Sequence, residues 1–422
     1  MLAISSLHMT RKHTNSTIDL VNLSQRFASH AFSLLDAERG TSSLTLLQSA
    51  AILWVYSRNE GSRMSLAQSA NLVGLLQQTW AALGLESNGA SLFKFSEEVT
   101  DDVGVWQAIS SIAWGFYCFF AKMALVTSSQ MPISRPLIMK IFEAQDGLDA
   151  SSQSSTSSAS EDPFAAQAAY QVQVFTAECS LCEIMDQLVS GFIRGGNRRV
   201  IRDEGHCTAL YNKLLCWKLT LPEHLTTSRS VSPSVLMLQS TYDFVALEML
   251  SAFTRHSGVS FDGRNATSLQ ILHANSLVTN LWIYRGIYTL KHEYWAAEYC
   301  SFTAHTLLPF VETETAVHDV IAKACCILYE MGGKSGVSSR ATSLLREVEE
   351  TARDRSIRIP YYGKGSKSPE SDGAPMVTVH GARVFGSAGG GTAGGAGWYP
   401  ASVTFSGTIS DIEPAQAEVS GG

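Results

Sequence analysis

The chain has 422 residues, of which 16% are charged and 45% are apolar, and its formal net charge is −7. The charged fraction is well below the roughly 25% of an ordinary soluble domain, which favours a large buried body with a modest polar surface. The acidic balance argues against a surface built mainly to bind nucleic-acid phosphates, because such surfaces are basic. The eight cysteines are scattered along the chain, unlike the dense pattern of a small disulfide-stapled domain.

Helical periodicity predicts the first three elements. Apolar residues at spacings of three and four form one stripe on a first helix: Leu20, Leu23, Phe27, Ala31 and Leu34. A second helix is predicted over about 42–57 and a third, with Leu66, Ala70, Val73 and Trp80 in register, ends near Gly84. Turn residues at 59–62 separate these two helices, and so short a link between amphipathic helices predicts an antiparallel hairpin.

The most apolar segment of the chain is "SSIAWGFYCFFAKMALVTSSQMPISRP", residues 110–136. Its apolar run from Ile112 to Val126 has a helical length of about 22 Å, short of the roughly 30 Å hydrocarbon core of a bilayer, so a membrane span is not predicted. A helix that is apolar nearly all round is buried in a sizeable body. Pro132 and Pro136 require this core helix to end before them.

Helical patterning resumes near residue 165, and we predict further helices over about 203–219, 234–254, 266–290, 293–308, 314–331 and 339–355. No strand pattern is convincing. A serine-rich insertion at about 146–163 and a glycine-rich tail at 359–422, which holds 14 of the 32 glycines after Pro360, are predicted to be disordered. The predicted fold is therefore all-α: a multi-helical bundle or solenoid-like array of antiparallel helix pairs over 18–358, after a partial or disordered N-terminus at 1–17.

Cys179 and Cys182 have the two-residue spacing of structural zinc sites. Such a site needs two more thiolates or imidazoles, and the nearest candidates, His206 and Cys207, are adjacent to each other. Two thiols three residues apart on a helix simply share a face. We therefore interpret both cysteines as core residues.

The cluster Glu97, Glu98, Asp101 and Asp102 stands directly before the core helix. Acidic residues at that position favour the helix dipole and cap free N–H groups, so we interpret them as caps and not as metal ligands. The segment "GGKSG", 332–336, resembles the end of a phosphate loop, but it follows a helix and lacks the earlier glycine. It is interpreted as a capped helix C-terminus.

His273, His292 and His305 are too far apart in sequence to form a ligand pair, and each is interpreted as a hydrogen-bonded core or edge residue. The arginines at 194, 198, 199 and 202 are interpreted as a solvated loop. Catalytic, cofactor-binding and metal-binding residues are accordingly predicted to be absent, and no cofactor is expected.

Several segments, in order, resemble the fungal-specific transcription factor domain, the helical middle homology region of the zinc binuclear cluster regulators, and most closely its nitrogen-assimilation-regulator type. These are "SLTLLQSAAILWVYSRNEG", "SANLVGLLQQTWAALGLE", the core segment with Trp114, Gly115, Tyr117 and Pro136, "LLCWKLTLPEHL" with Trp217, Leu221 and Pro222, "SPSVLMLQSTYDFVALEML" with Pro233, Leu236, Leu238 and Tyr242, and "CSFTAHTLL". The resemblance covers about residues 20–330.

The chain departs from the family pattern at defined positions. Ala121-Lys122 replaces the usual aspartate-arginine pair, Gln239 replaces a histidine, and 251–253 replaces an Arg-Pro-Phe. The six-cysteine, Lys/Arg-rich zinc cluster that binds DNA in such proteins is not found in this sequence. On the family pattern, the domain is expected to be incomplete at its N-terminus.

The resemblance implies a nuclear regulatory domain that controls transcription through co-regulators, a related subunit or a small-molecule effector, with a homodimer among the assemblies it allows. Contact with DNA is implied only through the missing zinc cluster, and no membrane partner is implied. Two alternatives stay open: a stand-alone helical scaffold that inhibits a related regulator, and an α-helical enzyme with an apolar pocket lined by Trp106, Trp114 and Phe120. The enzyme would need paired acidic motifs, of which only the 97–102 cluster exists.

Overall fold

The structure is a computed structural model that describes residues 20–60, 62–85, 103–140, 163–195, 198–201, 204–251, 260–261, 264–290, 293–332 and 337–359. Its first five helices are α1 (Leu20–Ala37), α2 (Leu44–Glu60), α3 (Arg63–Leu83), α4 (Val103–Val126) and α5 (Pro163–Gly191). The remaining six are α6 (Glu204–Thr220), α7 (Pro233–Ser251), α8 (Ala266–Ile287), α9 (Tyr294–Leu307), α10 (Ala316–Met331) and α11 (Val337–Asp354). Short 3₁₀ turns lie at Glu223–Leu225 and Leu308–Phe310. The all-α, multi-helical prediction is confirmed.

Helices α2 and α3 pack against each other along their length. The Ser62 side chain caps α3 by accepting from Ser65 N at 3.2 Å, and Gly84 ends it with a φ of 65°, a conformation that favours glycine. The predicted stripe on α3 was wrong at its start, because Leu66 is 42% exposed while Ser65 is buried.

The stripe predicted for α1 is also displaced at its end. Leu34 is 55% exposed, and its neighbour Leu35 is buried at 3%. The apolar residues at 34 and 35 both fit a helical pattern, so the sequence did not decide which of them would face α2.

Helix α4 is the core helix that the sequence predicts. Trp114 and Phe120 are 2% and 0% exposed. The segment that follows crosses back over the helix, where Ile138 O accepts from Trp114 Nε1 at 3.1 Å. The helix is longer than the apolar run suggested: 106–126 is long and apolar enough to cross a membrane, and 78% of that window is buried inside the fold. The length argument was therefore wrong, and it is the burial of α4 that fits the core interpretation.

Helix α7 runs through the interior. Every residue from Val235 to Leu250 is buried, and α7 packs most extensively on α8 and also contacts α5, α6 and α9. The helices α9, α10 and α11 pack on one another at one side, and α11 reaches back to α2. One continuous apolar core joins residues from α1 to α11.

Two short antiparallel hairpins correct the expectation of no strands. Strand β1 (Phe192–Gly195) pairs with β2 (Arg198–Ile201), and β3 (Ser260–Phe261) pairs with β4 (Arg264–Asn265). The first hairpin contains three of the arginines that the sequence assigned to a loop. The strands are two to four residues long, at or below the shortest run over which a period-two pattern is recognised.

The predicted partial N-terminus at 1–17, the serine-rich insertion except for Pro163, and nearly all of the glycine-rich tail lie outside the described residues. Pro163 itself is the first residue of α5.

Candidate functional site

A buried ion pair joins α4 to α5. The Lys122 ammonium contacts the Glu178 carboxylate, and the two residues are 4% and 5% exposed. The Trp295 ring of α9 lies 5.8 Å from Lys122 Nζ. Three helices therefore meet around one lysine.

Lys122 remains protonated in this setting. Burial alone would lower the pKa of Lys122, but the negative charge of Glu178 outweighs it and the pKa is raised. Nearby, the Tyr299 hydroxyl lies 3.1 Å from Thr241 Oγ1 on α7, and burial raises the pKa of Tyr299 to about 12. We refer to Lys122, Glu178, Trp295 and Tyr299 as the lysine cluster.

Glu293, just before α9, borders the lysine cluster. Its Oε1 accepts from the Tyr284 hydroxyl at 2.6 Å. Burial raises the pKa of Glu293, while the Tyr284 hydrogen bond and the positive charge of Lys122 oppose that rise. This carboxyl group therefore titrates above the usual range for glutamate.

A second polar group, the histidine cluster, joins α6, α7 and α8. Asp243 Oδ1 lies 2.8 Å from His273 Nδ1, Asp243 Oδ2 accepts from Ser276 Oγ at 2.5 Å, and the Tyr211 hydroxyl lies 3.0 Å from His273 Nε2. Because a carboxylate only accepts, Nδ1 carries a hydrogen and donates it to Asp243, and Nε2 shares a second hydrogen bond with the Tyr211 hydroxyl. Each of these polar atoms has a partner.

Aromatic rings close the histidine cluster on one side. Tyr242 stacks on Trp217 with ring centroids 5.5 Å apart and planes 16° apart, and Lys218 Nζ lies 4.8 Å from the Tyr242 ring. Burial lowers the pKa of Lys218, and the charge of Asp243 opposes that change.

The order aspartate, histidine, hydroxyl matches the order of groups in a nucleophilic relay. His273 and Tyr211, however, are only 6% and 3% exposed, so a substrate reaches the ring only if the helices separate. The geometry fixes how α6, α7 and α8 pack.

The zinc candidates lie in the core, as the sequence analysis predicts. Cys179 and Cys182 are fully buried, and Cys179 Sγ lies 3.7 Å from Cys118 Sγ across the contact between α4 and α5. Burial raises the pKa of all three thiols, which keeps them protonated. Cys207 is also buried. Within the described residues, no group of three or more His, Cys, Asp or Glu side chains could hold a metal ion.

The other candidates have ordinary roles or lie outside the described residues. Glu97, Glu98, Asp101 and Asp102, together with His292 and Arg202, lie outside the described residues. His305 Nδ1 bonds Ser301 O within α9 at 2.8 Å. Gly332 ends α10 with its N–H on Leu328 O and Tyr329 O, which confirms the helix C-terminus there, while 333–336 are not described.

The three residues named for the apolar pocket of the enzyme alternative lie in the core or against it. Trp114 and Phe120 are buried in the core and Trp106 packs against it. A surface depression of about 100 Å³ lies elsewhere, at the C-terminal ends of α8 and α10, and is well below the roughly 300–1,000 Å³ of ordinary ligand pockets. It is lined by Arg285, Tyr288, Thr289, Leu290, Ile327, Glu330 and Met331.

Sequence reasoning missed both clusters as units. Lys122 was noted only as a departure from a family pattern, and Glu178, Asp243 and Tyr211 were not singled out. A usable signal was present, because a lysine inside an otherwise apolar helix requires a buried carboxylate from another element.

The geometry defines the class of this chain as an all-α helical array with two interior polar clusters. No protein-family model matches the sequence, and comparisons with curated proteins and with solved structures give no match.

Proposed function

We propose that this chain is the regulatory helical domain of a nuclear transcription regulator of the fungal zinc-cluster class. It acts through a co-regulator, a related subunit or an effector, and the DNA-reading zinc cluster is not among its residues. The enzyme alternative is not proposed, because two of its pocket residues, Trp114 and Phe120, are buried in the core and Trp106 packs against it.

One contact carries the proposal. Trp217 and Tyr242 belong to two separate segments that resemble the family, and their rings stack on each other. The same Trp217 Nε1 donates to Ala177 O at 3.1 Å and to Ser180 Oγ at 2.9 Å. Motif residues that are distant in sequence thus share one structural role, as expected if the segments derive from one common fold.

A second pair of segments behaves in the same way. The proline segment after α4 returns to the Leu-Gly-Leu end of α3, where Leu137 N donates to Leu85 O at 3.5 Å. Gln77 Nε2 donates to Pro132 O at 3.4 Å. Two segments that resemble the family, the end of α3 and the proline segment after α4, are therefore also neighbours in space.

The experiment is a reporter assay with the full chain fused to a heterologous DNA-binding domain in a fungal host. We expect the fusion to localise to the nucleus and to change reporter output several-fold relative to the DNA-binding domain alone. A fusion carrying K122M, which we expect to be destabilised, should lose the effect, and the double variant K122M/E178M should recover it. An unchanged reporter with a folded, nuclear fusion would overturn the proposal.

The scaffold alternative has its own outcome in the same host. In that outcome the fusion leaves the reporter unchanged, and the unfused chain lowers the output of a related regulator. The chain would then be a stand-alone inhibitor and not a regulatory domain.

A further inference from the structure

Lys218, near the end of α6, differs from the other lysines that the structure describes. Each of those others has an oxygen partner: Lys122 has Glu178, Lys140 has Glu183, Lys213 has Gln187 and Lys323 has Asp319. Lys218 forms no hydrogen bond or ion pair with another described residue, and its Nζ lies 4.8 Å from the centroid of the Tyr242 ring. Its amino group therefore faces an aromatic ring in place of an acceptor.

The surroundings of Lys218 disfavour a positive charge on it. The Tyr242 ring is buried and stacks on the buried Trp217 ring, so water is excluded from this side of the amino group. Burial lowers the pKa of Lys218, and the negative charge of Asp243 on α7 opposes that change only in part. At neutral pH a larger fraction of this amine is therefore neutral, and so nucleophilic, than of an ordinary lysine.

Lys218 is nevertheless within reach of solvent. The residue is half-buried, and the next residue, Leu219, is 83% exposed. The neighbouring titratable groups of the histidine cluster, Tyr211 and His273, are buried and hydrogen-bonded to each other. Cys216 is also exposed, but residues two apart on a helix do not face each other. A dissolved reagent can therefore meet the Lys218 amine directly at the surface.

We propose that Lys218 is an acylation site, at which its amine takes the acyl group of a thioester without the help of an enzyme. The neutral Nζ attacks the thioester carbonyl, the C–N bond forms as the C–S bond breaks, and the thiol leaves with the proton that nitrogen loses. The amide product carries no charge, so burial no longer disfavours this residue. Acylation also removes a positive charge near Asp243 and so acts on the histidine cluster. The inference does not depend on the regulatory assignment.

The experiment incubates the full chain with the S-acetyl thioester of N-acetylcysteamine near pH 7 and measures acetylation of each lysine by peptide mass spectrometry. Treatment with hydroxylamine first removes acetyl groups from thiols, because thioesters react with it and amides do not. Lys213 is the internal control, since it lies on the same helix, is exposed and bonds Gln187 Oε1. We expect Lys218 to be acetylated several-fold faster than Lys213, although Lys213 is the more exposed of the two.

The pH dependence of the two rates separates a lowered pKa from simple exposure. Near pH 7 the lysine with the lower pKa has the larger neutral fraction, whereas both amines are largely neutral above the ordinary lysine pKa of about 10.4. The ratio of the Lys218 rate to the Lys213 rate should therefore fall as the pH rises from about 7 to about 10.

Two variants test the surroundings of the amine. D243N removes the negative charge that favours the ammonium form, so it should speed acetylation of Lys218 and leave the rate at Lys213 unchanged. C216S removes the exposed thiol and should leave the rate at Lys218 unchanged. Circular dichroism tests that both variants are folded. If D243N is unfolded, the pH dependence of the wild type decides the test.

Three results would overturn the inference. The first is acetylation of Lys218 at pH 7 that is no faster than that of Lys213. The second is a ratio of the two rates that stays constant or rises with pH. The third is loss of Lys218 acetylation in C216S, which would show that the acyl group arrives through the thiol and not directly.

Discussion

The lysine cluster and the histidine cluster compensate their buried polar groups in different ways. In the lysine cluster, full opposite charges on Lys122 and Glu178 neutralise each other directly. In the histidine cluster, Asp243 is surrounded by donors, and the chain of hydrogen bonds extends over Ser276, His273 and Tyr211. Removing either member of a buried ion pair leaves an unpaired charge and lowers the free energy of unfolding strongly. Removing one group from a chain of hydrogen bonds lowers it by a smaller amount.

The largest expected effect is on the lysine cluster. K122M should lower the free energy of unfolding by about 3–5 kcal/mol, because Glu178 is left as a buried, unpaired charge. K122M/E178M should recover to within about 1 kcal/mol of the wild type, since an apolar pair of similar volume often replaces a buried ion pair without cost. Urea unfolding followed by circular dichroism measures both, and a double variant as unstable as the single one would contradict the ion-pair argument.

The same pair predicts how stability depends on alkaline pH. The pKa of folded Lys122 is raised, so its contribution is fully present below the unfolded value of about 10.4 and is lost as pH rises through the folded pKa. The stability difference between the wild type and K122M/E178M, which lacks both charges, should therefore be constant from neutral pH to about pH 10 and turn against the wild type above it. A difference that shrinks near neutral pH would show that Lys122 is not charged in the fold.

In the histidine cluster, D243A should cost about 2–3 kcal/mol, because it leaves buried donors of His273 and Ser276 without an acceptor. D243N should cost less, since its amide oxygen can still accept from His273 Nδ1. Thermal unfolding distinguishes the two. Equal losses would mean that the negative charge, and not the hydrogen bonds, stabilises this cluster.

A smaller effect is expected at the end of the chain of hydrogen bonds. Y211F removes one hydroxyl that bonds His273 and should cost about 1 kcal/mol. Y288F is the control, because Tyr288 is 39% exposed at the end of α8 and its hydroxyl should contribute a few tenths of a kcal/mol at most. Chemical denaturation of both variants tests whether Tyr211 belongs to the cluster energetically.

The smallest effect is expected at Glu293, on the border of the lysine cluster. Its pKa is raised by burial, so its contribution is present below the unfolded value of about 4.3 and is lost as pH rises through the folded pKa. E293Q should match the wild type in acid and exceed it at pH 8 by no more than about 1 kcal/mol. A stability difference that does not change with pH would show that Glu293 is not destabilised by its charge.

Much of the fold followed from local pattern. The predicted range 234–254 agrees with α7 to within three residues, and 314–331 agrees with α10 to within two, because apolar spacing and Gly or Pro boundaries act over a few residues. The stripe on α3 was displaced at its start, where Ser65 is buried and Leu66 is exposed. Hairpins of two to four residues per strand carry no readable period.

The sequence by itself determined that this chain folds as an array of helices around one apolar core, and that the segment 110–136 contributes a helix to it. It also determined that the arginines at 194–199 stand close together along the chain. Only the tertiary structure decided that Lys122 meets Glu178 and that Asp243, His273 and Tyr211 form one cluster, because these partners come from different helices 30 to 62 residues apart. Helical periodicity shows which face of a helix is buried, whereas the residue opposite a buried charge depends on how the helices cross.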